Sequence, residues 1–108
     1  MSALDDIAIE RQRQIAVEGF PPAHDDEEHA GGELAIAASA YALKAAGVHD
    51  LVKTITGLRG WFWLPHRWPL HDIMWKPRSP RRDLVRAGAL IVAEIERLDR
   101  AAMRRNAA

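Results

Sequence analysis

The stretch that most constrains this chain runs from Ser79 to Met103, SPRRDLVRAGALIVAEIERLDRAAM. Ser79 is a capping residue type and Pro80 suits a first helical position, so a helix is predicted to begin here. Leu84, Gly88, Ile91, Ile95, Leu98 and Ala102 then recur at alternating spacings of four and three, the stripe of a core-facing helix. Val85, Ala89 and Val92 widen that stripe, which implies cover on more than one side, and Ala87-Gly88-Ala89 would let another helix approach closely. The fold class that follows is all-α: a compact bundle of three to four helices in one domain, 1–108, packed around this C-terminal helix.

Two further helices are predicted upstream. Residues 3–18, ALDDIAIERQRQIAVE, place Leu4, Ala8, Arg11 and Ile15 on one stripe with Ile7 beside it, and Gly19-Phe20-Pro21-Pro22 ends the run. Arg11 on an apolar stripe either lays its stem over the core with its head in water or reaches a buried carboxylate or ligand phosphate. Glu10, Gln14 and Glu18 share the other side, which reads as a solvated face or a catalytic one. Residues 33–46, ELAIAASAYALKAA, are nearly all small and form a second helix, stopped by Gly47 and expected to pack on Ala87-Gly88-Ala89. A shorter helix is expected over His49–Thr56, with Leu51, Val52 and Ile55 inward.

Charge is balanced overall but not along the chain. Residues 1–33 carry nine acids and two bases, residues 34–75 two and four, and residues 76–108 four and nine, giving −7, +2 and +5. One reading is mutual neutralisation across helix contacts; the other is a site with carboxylates on one wall and arginines facing them. A general duplex-DNA binder would need an uncompensated basic face, which this distribution does not supply. With no cysteine there is no disulfide framework and no thiolate site. No apolar run approaches the ~20 residues that span a bilayer, so a cytoplasmic protein without a membrane partner is expected, and its 108 residues suit a homo-oligomer.

Two segments hold the candidate chemistry. AHDDEEHAGGE, residues 23–33, contains His24, Asp25, Asp26, His29 and Glu33. Asp25 or Asp26 can serve as a helix cap, whereas His29 and Glu33 at i, i+4, with the preceding three folded over them, form a candidate Mg²⁺ or Mn²⁺ site. Residues 57–80, GLRGWFWLPHRWPLHDIMWKPRSP, hold all four tryptophans, Trp61, Trp63, Trp68 and Trp75, in a long loop. That loop reads as a lid or an oligomer interface, or as a wall on which a planar group stacks, with Arg67, Lys76, Arg78, Arg81 and Arg82 placed for phosphate. The basic cluster runs into the helix start, where free N–H groups and the dipole favour an anion, so Ser79–Arg82 is the expected anion site. Residues 104–108 are expected to form a frayed basic tail.

The segments ERQRQIAVEGF (10–20), HDDEEHAGGELAIAASAYA (24–42), WPLHDIMWKP (68–77) and RRDLVRAGALIVAEIERLDR (81–100) together resemble a small family of phage and prophage proteins. The resemblance covers nearly the whole chain, departs at Leu70, His71 and Met74, and implies no activity by itself. More distantly, the chain resembles the all-α MazG-type nucleoside triphosphate pyrophosphohydrolases, whose E-x-x-E and E-x-x-D motifs hold Mg²⁺ against a triphosphate. Here Glu33 follows Ala30, and Asp83 precedes Arg86, so each motif lacks a carboxylate. Three functions are carried forward. The first is a nucleotide binder without turnover, of the kind by which a phage protein sequesters a host-defence signal. The second is an Mg²⁺-dependent pyrophosphohydrolase using His24, Asp25, Asp26, Glu33 and Asp83. The third is an inhibitor or adaptor that docks its tryptophan loop on a host protein.

Overall fold

The structure, a computed structural model, describes residues 2–18, 22–48, 51–56, 60–65, 68–70 and 74–107, with only the backbone described for His24, 51–56 and 60–64. Among the described residues four helices follow in chain order: α1 (Ala3–Ala16), α2 (Pro22–Glu28), α3 (Glu33–Ala45) and α4 (Pro80–Ala107). The fold class is all-α, a small helical bundle. α4 has 28 residues and is about 42 Å long at 1.5 Å per residue. It packs against each of the other three helices.

Local chemistry sets the ends. Ser2 caps α1 reciprocally: its hydroxyl accepts from the Asp5 N–H at 3.1 Å, and the Asp5 carboxylate accepts from the Ser2 N–H at 3.2 Å. Gly32 enters α3 at φ +89°, a left-handed conformation that favours glycine. Gly47, at φ +81°, closes the helix, donating to the Lys44 carbonyl. At α4 the Ser79 hydroxyl accepts from the Arg82 N–H at 3.2 Å, the cap the sequence predicts.

The core is a thin seam between α3 and α4. Leu34, Ala37, Ala38 and Tyr41 meet Ala87, Leu90 and Ala93, and Trp75 lies against them. Small residues on both helices let the backbones come close, and Tyr41 fills what remains. Its ring centroid lies 4.8 Å from that of Trp75 and 5.7 Å from that of Trp68. The Tyr41 hydroxyl donates to the Met74 carbonyl and accepts from the Lys76 N–H, both at 2.9 Å, and so ties the segment before α4 to α3.

Two expectations need correction. The first concerns the face of α4. Leu84, Ile91, Ile95 and Leu98, read as its core stripe, are each about half exposed, while Val85, Ala89, Leu90 and Ala93 are buried. The alanine-rich side wins the core because it permits the closer approach of α3. The Ala87-Gly88-Ala89 notch also takes Ile7 of α1: a Cβ on Gly88 would lie 2.8 Å from the Ile7 Cδ1. The second concerns the helix expected over 49–56. Leu51–Thr56 is instead strand β1, antiparallel to β2 (Gly60–Pro65), in register from Leu51 opposite Pro65 to Thr56 opposite Gly60. Val52, Thr54, Ile55 and Thr56 are β-branched and Trp61, Phe62 and Trp63 aromatic, the residue types that suit a pleated surface. The bundle therefore carries one two-stranded hairpin between α3 and α4.

Candidate functional site

The site begins with an inversion on α1. Its polar edge, not a solvated face, turns inward: Glu10 and Gln14 are buried, and the Glu18 side chain just beyond the helix is 5 % exposed. Buried carboxylates require partners, and basic residues supply them. Glu10 accepts from Arg13 through two bonds of 2.8 Å, from the Arg82 guanidinium, and from the Gln14 amide at 3.2 Å. Glu18 accepts from Arg13 at 2.8 Å and from Lys76 at 3.4 Å.

Above this network a small cleft opens between α1, α3, α4 and residues Trp68, Leu70 and Met74, with a cavity volume of about 20 Å³. Tyr41, Trp68, Leu70, Met74 and Leu90 form its apolar walls, and Arg13, Gln14, Glu18 and Arg86 its polar ones. Arg86 is only 7 % exposed. Its Nη1 lies 3.5 Å from the Tyr41 hydroxyl, at the limit of a hydrogen bond, and its guanidinium carbon stands 5.5 Å from the Tyr41 ring centroid. No carboxylate pairs with it among the described residues, and its Nε is buried without a hydrogen-bond partner. Gln14 Oε1 is likewise buried without a partner. With Gln14 Nε2 committed to the Glu10 carboxylate, which only accepts, the amide orientation is fixed. Arg13, Arg82, Lys76 and Arg86 thus stand against Glu10 and Glu18, leaving an excess of positive charge at the cleft.

The expected phosphate-binding residues are mostly committed elsewhere. Arg81 pairs with Asp6 at 2.6 Å, Arg82 with Glu10, and Lys76 with Glu18. Arg78 is exposed, and its backbone N–H donates to the Asp83 carboxylate at 2.7 Å. The start of α4, Ser79–Arg82, is therefore answered largely by its own chain, and a buried cation with no carboxylate partner among the described residues sits one turn further on, at Arg86. Trp75, expected to stack on a ligand, is a core residue, and Trp68 is a cleft wall. Arg67 and the side chains of Trp61 and Trp63 lie outside the described residues.

Of the expected metal ligands only Asp25 and His29 meet among the described residues. Asp25 is fully buried, accepting from Arg11 Nη2 at 3.3 Å, with His29 Nδ1 at 3.0 Å from its other oxygen. Asp26 is held by Arg100 and Arg104, and the Glu33 carboxylate accepts from the Gly31 N–H at 2.9 Å. The His24 side chain lies outside the described residues, among which no three His, Asp or Glu side chains converge as a metal site. Arg86, Gln14 and Tyr41 were not singled out for ligand binding from the sequence. The available signal was spacing: Asp83 and Arg86 fall in line with Leu90 and Ala93, at intervals of three, four and three, on the side that became the core.

Compared with family models, curated proteins and solved structures, the chain matches none.

The Glu10 network makes an acid-lability prediction. Burial pushes the Glu10 pKa up, but Arg13 and Arg82 outweigh burial and hold it below the ordinary 4.5. A carboxyl depressed in the folded state stabilises fully above its unfolded value, and that stability disappears as pH falls through the folded one. Asp26, lowered from 3.8 chiefly by its hydrogen bonds from Arg100, with desolvation opposing and Arg104 adding, acts in the same direction. The urea midpoint is expected to hold from pH 7 down to about pH 5 and then fall steeply. Glu10→Gln should flatten that fall.

Proposed function

We propose that this chain is a phage-type protein that binds a nucleotide or another phosphorylated small molecule in the Arg86 cleft. It holds that ligand without turning it over, as a protein that sequesters a host-defence nucleotide signal would. One observation carries the reading: a buried guanidinium with no carboxylate among the described residues, set beside aromatic walls in an open cleft. An anion would supply the missing counter-charge, and Tyr41 and Trp68 offer planar surface to a base. No helix among the described residues is long and apolar enough to cross a membrane. The proposal places the protein in the cytosol, where such ligands occur.

Binding is favoured over hydrolysis because the nearby carboxylates are occupied. Glu10, Glu18, Asp25 and Asp26 each accept from a cationic side chain and Asp83 from a backbone N–H, whereas Mg²⁺ needs carboxylate oxygens of its own. The adaptor reading loses Trp68 and Trp75 to the cleft wall and the core.

The test is a thermal-shift and calorimetry screen against nucleoside mono-, di- and triphosphates and cyclic dinucleotides, with and without Mg²⁺ or Mn²⁺. At least one ligand is expected to bind saturably, stabilising by about 2.7 kcal/mol at a hundredfold excess over its Kd, with no pyrophosphate released. Pyrophosphate release would replace this reading with the hydrolase. Silence from the whole panel would remove both.

A further inference from the structure

α4 has two apolar faces, and among the described residues only one is buried. Val85, Ala89, Leu90 and Ala93 face the bundle, whereas Leu84, Ile91, Ile95 and Leu98 are 53 %, 50 %, 52 % and 51 % exposed. At 3.6 residues per turn the exposed four fall within one narrow strip, roughly opposite the buried side. Leu84, Ile91 and Leu98 are seven residues apart, with Ile95 between the last two at the alternating four-and-three spacing. That is the narrow two-in-seven seam of a helix that pairs with one other helix, distinct from the broad stripe that faces a globular core. A contiguous strip of large aliphatic side chains about 21 Å long (1.5 Å per residue) is unfavourable in water.

We infer that the outer face of α4 binds the same face of a second copy of this chain, with the two α4 helices antiparallel. Self-pairing follows from the repeat: a two-fold axis near Ile91 sets Leu84 of each copy beside Leu98 of the other and Ile91 beside Ile91. Charge selects the direction. Asp99 and Arg81 lie on the same edge of the seam, eighteen residues or about five helical turns apart, so only an antiparallel pair brings each beside the other on the partner helix. In the antiparallel pair Asp99 approaches the basic start of the partner helix. There Arg81, paired with Asp6 within its own chain but 65 % exposed, bridges to it. Carboxylate and guanidinium then meet at both ends of the seam. The inference is independent of the Arg86 cleft, which opens on the side of α4 that faces α1 and α3.

Light scattering after size exclusion tests the association. At tens of micromolar the protein should run at twice the 12.1 kDa chain mass. Ile91→Glu, which sets two carboxylates together at the axis while altering a half-exposed position, should run at the monomer mass with an unchanged helical circular-dichroism spectrum. Because the chain lacks cysteine, direction can be read by cross-linking. Leu84→Cys mixed with Leu98→Cys should form a disulfide-linked dimer on mild oxidation, and neither variant alone should do so. A wild-type monomer, meaning that some other chain covers this face, overturns the inference. So does association that survives Ile91→Glu, or cross-linking of each cysteine variant with itself, which is the parallel outcome.

Discussion

Asp25→Ala is expected to destabilise the fold by about 3–5 kcal/mol, enough to unfold much of a domain this small at ordinary temperature. Asp25 has no solvent exposure, and Arg11, which it holds, is 4 % exposed. Removing the carboxylate leaves a buried guanidinium without its buried counter-charge. Glu96, which also accepts from Arg11 at 3.0 Å, is 47 % exposed and so gives weaker compensation. His29 loses the carboxylate that faces its Nδ1 as well. The cost falls on three elements together, since Arg11 belongs to α1, Asp25 to α2 and Glu96 to α4. Chemical denaturation monitored by circular dichroism measures it.

The same pair supplies its own control. If the cost is the stranded charge, replacing both partners with apolar groups of similar size, Arg11→Met with Asp25→Leu, should recover most of what Asp25→Ala loses. If the double variant is as unstable as the single one, Asp25 acts through packing or through His29, and the ion pair with Arg11 is incidental to stability. Asp25→Asn should fall between the extremes, because it can still accept from Arg11 but carries no charge.

This charge network also marks the boundary of what sequence reasoning could reach. The positions of α1, α3 and α4 follow from caps and stops: Gly47 and Ser79-Pro80 act as the sequence predicts. The hairpin does not follow as readily, because Leu51, Val52 and Ile55 fit a short helical turn as well as a strand, and pairing with 60–65 decides between them. The inward polar edge of α1 is illegible locally. Glu10 is met by Arg13 one turn on but also by Arg82, 72 residues away, and Asp26 is held by Arg100 at a separation of 74. The opposed charges of the two ends did contain that information in bulk form. Mutual neutralisation, one of the two readings of those charges, accounts for most of the basic residues expected to hold phosphate. The face of α4 was ambiguous for a different reason: it has two apolar sides, and periodicity does not rank a strip of isoleucine and leucine below one of alanine. Packing distance does, since α3 is itself built of small residues and approaches closest where α4 is small too.

Arg86→Met should separate a ligand-binding arginine from a structural one. A guanidinium at 7 % exposure with no carboxylate partner among the described residues is costly to keep in the fold. A methionine of similar length removes that cost, keeps contact with the Tyr41 ring and fills the same space. The unliganded protein is therefore expected to become more stable, by about 1–4 kcal/mol by analogy with buried ionic groups replaced by apolar ones. Binding of whichever phosphorylated ligand the screen finds should fall by about thirtyfold or more, since a charge-assisted contact to a buried anion contributes about 2–5 kcal/mol. Arg86→Lys should keep the charge yet bind more weakly than wild type, because an ammonium lacks the two-pronged geometry that matches a phosphate. A destabilised Arg86→Met that still binds would assign the arginine to the core, with Tyr41 as its ordinary neighbour. Gain of stability with loss of binding has a different physical meaning: the fold maintains an unfavourable charge in a cleft because a ligand, when present, neutralises it.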